Sequence, residues 1–190
     1  MRILVAGFVL LMGLAPAGAY GQTQGQNQGS PMNGDRPMLD TSRVQQEMAE
    51  KANAPLQISF GKKSGQWTAA TLAQLAHVTL TVYNEHAKAS QTYTGVPLIE
   101  LLKPLGVPEK PKGKEFRLYL EAEGSDGYIV VYSVAEVTPD VHDASVIVAD
   151  SMDGKPLAPE NGPLQLVATG EKRPARWVRG LVAIRVIEAK

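Results

Sequence analysis

The sequence predicts an α+β domain rich in strand, a mixed and barrel-like sheet decorated with short helices. Three observations predict it. Short apolar and β-branched runs recur along the chain, separated by turn residues. Residues 115–121 alternate strictly, placing Phe116, Leu118 and Leu120 on one side and Arg117, Tyr119 and Glu121 on the other. Gly (18) and Pro (13) are frequent enough to close many turns and to interrupt long helices.

Taken in order, residues 1–19 read as a secretory signal peptide. Arg2 precedes an apolar stretch over residues 3–14, and Ala17-Gly18-Ala19 matches the small-x-small cleavage pattern. The stretch is too short to span a bilayer, and no second hydrophobic run follows it. The expectation is a periplasmic or secreted protein with no membrane span after cleavage. Residues 20–38 carry mostly Gln, Gly and Asn at their start, have little to bury, and read as a disordered linker. Residues 39–190 then form a single domain.

Within that domain, residues 40–52 predict a short helix capped by Thr41 or Ser42, with Val44 and Met48 on one face. Residues 56–60 predict a strand, and residues 61–65 its turn. Residues 67–76 predict a second helix, capped by Thr68 and buried through Leu72 and Leu75. Residues 78–83 predict a strand, and residues 84–91 a polar loop containing His86. Pro97 begins a helix whose Leu98, Leu101, Leu102 and Leu105 share one face, and Gly106 ends it. Strands follow at residues 115–121, 128–132 and 145–149, with turns at Gly124-Ser125-Asp126-Gly127 and Asp153-Gly154. Ser133 predicts a cap for one helical turn. Two more apolar strands, residues 164–168 and 182–187, flank a loop carrying Lys172, Arg173, Arg176, Trp177 and Arg179. The total is five to eight strands with two or three helices.

Charge and composition exclude several functions. The formal net charge is +0, which argues against a nucleic-acid coat protein. The chain has no cysteine, so disulfides, thiolate metal sites and thiol nucleophiles are all absent. His77, His86 and His142 lack metal-ligand spacing. No Gly-x-Ser-x-Gly elbow and no phosphate-binding glycine loop occur. Asp126 with Glu121 and Glu123, and Asp150 with Asp153, read as solvated carboxylates and not as calcium ligands. The basic loop between two core strands is a different matter, because strands hold its ends still while guanidinium groups project outward. Residues 171–190 hold six basic and two acidic side chains, whereas residues 136–153 hold five acidic and no Lys or Arg. Either the two segments face one cleft or they neutralise each other.

Five stretches in this order carry a resemblance. They are Thr94-Gly95-Val96-Pro97-Leu98, Asp126-Gly127-Tyr128 with Tyr132-Ser133-Val134-Ala135-Glu136, Asp153-Gly154-Lys155-Pro156-Leu157, Asn161-Gly162-Pro163-Leu164-Gln165, and Arg173-x-x-Arg176-Trp177-Val178 leading into Ala183-Ile184-Arg185-Val186. Together they resemble the molybdopterin-binding oxidoreductase domain of the sulfite oxidase type. The resemblance implies a β-rich fold that binds molybdenum through a pterin dithiolene. It places Arg173 and Arg176, with Lys172, near the pterin or its phosphate, packs Trp177 beneath the loop, and sets Asn84 and His86 at the metal end of the cleft. It implies no catalytic residue and no protein metal ligand here. In that family a cysteine thiolate holds the metal, and it is expected near residues 83–87, where this chain has none. The family's larger enzymes also carry an N-terminal His-Asn motif, replaced here by linker and helix. Exported relatives carry a twin-arginine signal, whereas only Arg2 stands here.

Three functions follow from this. The first is a non-catalytic exported domain binding a small anionic or polar ligand at the former cofactor cleft, with molybdopterin implied by resemblance only. The second is an active periplasmic molybdenum oxidoreductase. The third is an accessory module contacting a redox partner protein, to which exposed Tyr83, Tyr93 and Tyr119 would contribute.

Overall fold

The computed structural model describes residues 54–85 and 88–190, together with Ser42, Arg43, Gln46 and Glu50. The expected signal peptide, the linker and His86 lie outside the described residues. Ser42, Arg43, Gln46 and Glu50 are helical, as expected of that segment, while Val44 and Met48 lie outside the description. Residues 39–190 make one compact unit.

The described residues form ten strands: β1 (Leu56–Phe60), β2 (Lys63–Trp67), β3 (Val78–Asn84), β4 (Ala89–Pro97), β5 (Leu118–Gly124), β6 (Ile129–Ser133), β7 (Val146–Met152), β8 (Lys155–Pro156), β9 (Gln165–Ala168) and β10 (Leu181–Glu188). Among the described residues from 54 onward, three short α-helices join them: α1 (Ala69–Leu72), α2 (Leu98–Leu102) and α3 (Val134–Val137). The first sheet has the order β2-β1-β10-β5-β6. Its β1–β10 pair is parallel and its other pairs are antiparallel. The second sheet runs β3-β4-β7, and β8 and β9 share the remaining edge of β7. The fold is thus α+β with two open sheets, the first mixed and the second antiparallel, and not a closed barrel.

The local chemistry explains most elements. Thr68 caps α1 by accepting from the Thr71 N–H, while Thr71 reaches back to the Thr68 N–H. Ser133 and Glu136 make the same reciprocal pair at the start of α3. Leu98, Leu101, Leu102 and Leu105 are all buried, and Gly106 ends this segment in the left-handed region at φ 97°. Asp153 and Gly154 both adopt positive φ, as a two-residue hairpin requires.

Four expectations need correction. Residues 63–67 form β2, an edge strand whose polar, half-exposed residues give no alternation. Leu75 is exposed, because α1 stops after Leu72. Phe116 is exposed as well: residues Gly113–Arg117 form a 3-10 turn, so the inward alternation begins only at Leu118. The polar loop also ends early, since β4 starts at Ala89 and pairs with β3 along its whole length.

Beneath the sheets, Leu56, Ile58, Leu101, Leu120, Leu166 and Ile184 anchor the main core, with Trp67 and Trp177 packed against it. A smaller cluster holds Tyr93, Ile147, Ala149, Leu157 and Val167. Residues 178–181 stitch the sheets together. Val178 exchanges backbone hydrogen bonds with Leu166 of β9, the Leu181 N–H donates to the Leu164 carbonyl, and the Ser125 N–H donates to the Gly180 carbonyl.

At Gly95 β4 passes tightly against β7, beside a register shift. A Cβ there would collide with the Val148 carbonyl oxygen and stand 2.5 Å from the Ala149 Cα, both backbone atoms that cannot swing aside. Gly95→Ala is therefore expected to destabilise the protein by about 3 kcal/mol or more in urea denaturation, and an unchanged midpoint would refute this packing.

Candidate functional site

The site is built on the end of β9. After Ala168 the chain leaves the sheet, runs through residues 169–177, and returns at Val178 to pair with β9 itself. Thr169 fixes the departure: its N–H donates to the Ser145 carbonyl, and its hydroxyl accepts from the Ser145 N–H at 2.7 Å. Gly170 follows at φ 79°, where an added Cβ would press on Ala144. A 3-10 turn, Pro174–Arg176, closes the excursion.

Arg176 holds the loop from within. Its guanidinium bonds Glu171 through both Nε and Nη2, with the Nε bond at 2.9 Å. Nη1 donates to Glu136 Oε1 of α3 at 2.8 Å and to the Val131 carbonyl at 3.3 Å. The cation lies 4.6 Å above the Tyr132 ring. The Tyr132 hydroxyl donates to the Arg176 carbonyl at 2.7 Å, and the Tyr128 hydroxyl to the Ala175 carbonyl at 2.5 Å. Burial pushes the Tyr132 phenol up, only partly opposed by Arg176. For Arg176, burial works against the charge, but Glu171 and Glu136 outweigh it and raise its pKa. For Glu136, burial favours the acid, but the Ser133 N–H, Arg176 and the Ser133 hydroxyl together hold it below the ordinary glutamate range.

Trp177 forms a fixed wall. Its indole N–H donates to the Ala168 carbonyl at 2.8 Å, and its ring meets Tyr93 edge-to-face at 5.3 Å and 82°. Tyr93 is buried, not exposed, because β4 packs between β3 and β7. Its hydroxyl and the Asn84 amide both donate to Gln91 Oε1, at 3.3 and 2.7 Å.

Two adjoining hollows share Asn84, Pro174 and Trp177. The larger, about 540 Å³, lies between the end of β3 and the loop, and Lys172 and Arg173 line it. Both are exposed, and among the described residues neither makes an ion pair. The smaller, about 210 Å³, is lined by Gln91, Tyr93, Asn161, Gln165 and Arg179 among others.

Of the expected site residues, Lys172, Arg173, Asn84 and Trp177 therefore come together. Arg176 lines neither hollow, because its donors are committed to Glu171 and Glu136. Glu136 and Arg176 also show that the acidic and basic segments partly neutralise each other. Sequence reasoning did not single out Gln165 or Gln91 as lining residues. Gln165 had a signal: it is the polar residue inside the apolar run Leu164-Gln165-Leu166-Val167-Ala168. His77 is spent on Asp150 at 2.8 Å and on the Leu75 carbonyl. The carboxylates weighed as calcium ligands serve structure too: Asp126 and Asp153 accept backbone N–H groups, and Glu123 pairs with Arg185.

Gln165 is 3% exposed, and its Oε1 has no hydrogen-bond partner among the described residues. Such an orphaned acceptor costs about 1–3 kcal/mol.

A molybdenum centre held by a protein thiolate does not fit these residues. The chain supplies no cysteine, and near the end of β3 the polar donors are the Thr81 hydroxyl, the Asn84 amide and the Glu85 carboxylate, which are harder ligands. No cluster of three or more His, Cys, Asp or Glu side chains converges among the described residues.

Two variants test this description. Arg176→Met is expected to lose about 1–2 kcal/mol, a figure discounted because the side chain is 38% exposed. Because Glu136 has a folded pKa below its unfolded one, its contribution is present above the ordinary glutamate range and is lost as pH falls through the folded value. Chemical denaturation across acidic pH should thus show a smaller acid-induced loss in Arg176→Met than in the parent. Gln165→Leu, which removes the orphaned acceptor at similar volume, is expected to raise stability by about 1 kcal/mol; a loss would show that Oε1 is satisfied.

Comparison with known proteins agrees with the fold. No curated protein sequence matches the chain. The family model described as the oxidoreductase molybdopterin binding domain matches residues 56–190, from the first residue of β1 to the C-terminal lysine. This chain belongs to the oxidoreductase molybdopterin-binding domain family.

Proposed function

We propose that this protein is an exported, non-catalytic member of its family that binds a small anionic or polar ligand in the cleft between β3 and the basic loop. One observation carries the reading: Lys172 and Arg173 line a 540 Å³ cleft and have no carboxylate partner among the described residues. Unpaired cations on a braced loop attract an anion without first breaking an internal ion pair. The absence of cysteine supports a binding role over turnover at molybdenum, and the leader-like residues 1–19 support export.

The accessory-module reading draws on a different surface. Ile129 and Val131 of the outer strand β6, and Tyr83 at the end of β3, are about half-exposed, which suits contact with a protein partner.

Thermal melting in inorganic phosphate separates the readings. Phosphate is expected to raise Tm of the parent protein, and the double variant Lys172→Ala/Arg173→Ala should lose most of that rise. An equal rise in both proteins, or none, would remove the cleft as a ligand site. Molybdenum found after native purification from the source organism would instead favour the enzyme.

A further inference from the structure

The larger cleft is bounded on one side by a sheet edge. β3 ends the second sheet and pairs only with β4. Among the described residues, no backbone group from Val78 to Tyr83 bonds outside that pair. Every second residue of β3 therefore turns an unused N–H and C=O away from β4. The cleft lies against this edge. Successive strand residues point to opposite faces, so a hollow over one face touches alternate residues only. This hollow is lined by a continuous run, Thr81 to Glu85, and by no residue of β4. Nothing in the strand guards the edge: Val78-Thr79-Leu80-Thr81-Val82-Tyr83-Asn84 contains no charge, no Pro and no Gly. The facing wall supplies Lys172 and Arg173, exposed and without a carboxylate partner among the described residues. It also supplies Trp177, whose indole N–H is already spent on Ala168.

We propose that this cleft is a strand-addition groove, in which an extended acidic segment of a partner protein pairs with the free edge of β3 and sets its carboxylates against Lys172 and Arg173. The inference rests on the binding function proposed above and names the ligand class of the same cleft. A small anion can meet the two cations, but it cannot meet donors and acceptors that alternate along a strand; another extended backbone can. A run of five strand residues spans about 17 Å, so the matching segment is about five residues long. The charge of that segment follows from the cleft's own acids. Glu85 is paired with Lys88 and Glu171 with Arg176, which leaves Lys172 and Arg173 to be met from outside. The volume, about 540 Å³, falls within the roughly 300–1,000 Å³ typical of binding sites.

Isothermal titration of the full chain with the peptide acetyl-Thr-Glu-Val-Glu-Thr-amide tests this. The peptide is expected to bind, and its counterpart with Gln in place of both Glu at least about tenfold more weakly. Lys172→Ala/Arg173→Ala should abolish that difference. Two further peptides carry N-methyl groups on alternate amides; they keep every side chain and charge but remove the donors of one edge or of the other. One of the two should bind at least about tenfold more weakly than the unmethylated peptide. Equal binding by all three backbone forms would overturn strand addition, as would an acidic peptide that does not bind. A chain that sediments as a dimer and takes no peptide would show the edge occupied by a second copy, and overturns the proposal too. The phosphate response that depends on Lys172 and Arg173 is read separately. If it persists while the peptide results fail, the groove is refuted and the binding function stands; if both are missing, both fall.

Discussion

The arrangement depends on one partly exposed cation. Arg176 joins three parts of the chain: Glu171 in its own loop, Glu136 on α3, and the ring of Tyr132 on β6. Without it, an excursion that leaves β9 and returns to the same strand would lose its side-chain ties to Glu171 and Glu136. With it, the loop is tied to the first sheet, and two tyrosine hydroxyls fasten the carbonyls of Ala175 and Arg176. A cation fixed by two carboxylates and several hydrogen bonds has little left to offer a ligand. The loop's basic residues thus divide by role: Arg176 braces the loop from behind, and Lys172 and Arg173 line the cleft.

The second constraint is the aromatic partition. Trp177 reaches both hollows, and it can do so because its indole N–H is anchored to Ala168 and its ring is braced by Tyr93. Tyr93 reaches that position because β4 passes between β3 and β7, an approach that Gly95 makes possible. Close strand packing thereby sets the geometry of a site several residues away. The same packing buries Gln165 with an acceptor that has no partner among the described residues, at a cost in stability. Costs of that kind concentrate where a protein binds something.

Much of this was legible in the sequence. The caps at Thr68 and Ser133, the leucine face ending at Gly106 and the Asp153-Gly154 turn are local devices, and local devices can be read from neighbouring residues. The strand at residues 63–67 was not legible, because an edge strand held by backbone bonds needs no apolar pattern. Phe116 was misplaced because alternation continued one turn too far back, into residues that curl as a 3-10 turn. The loop was legible as basic, and Trp177 as its packing residue. What composition did not distinguish was Arg173 from Arg176. Their difference is tertiary: it depends on Glu136, forty positions away in the chain, lying within reach of one guanidinium and not the other.

The central claim is that the loop's cations are divided between structure and ligand. Side-chain and backbone N–H resonances followed during a phosphate titration test it most directly. The account predicts that the Trp177 indole N–H and the amides of residues 170–173 move with added phosphate, while the Arg176 Nε–H keeps its position. An Arg176 resonance that shifts in step with them, or a loop that does not respond at all, would contradict it.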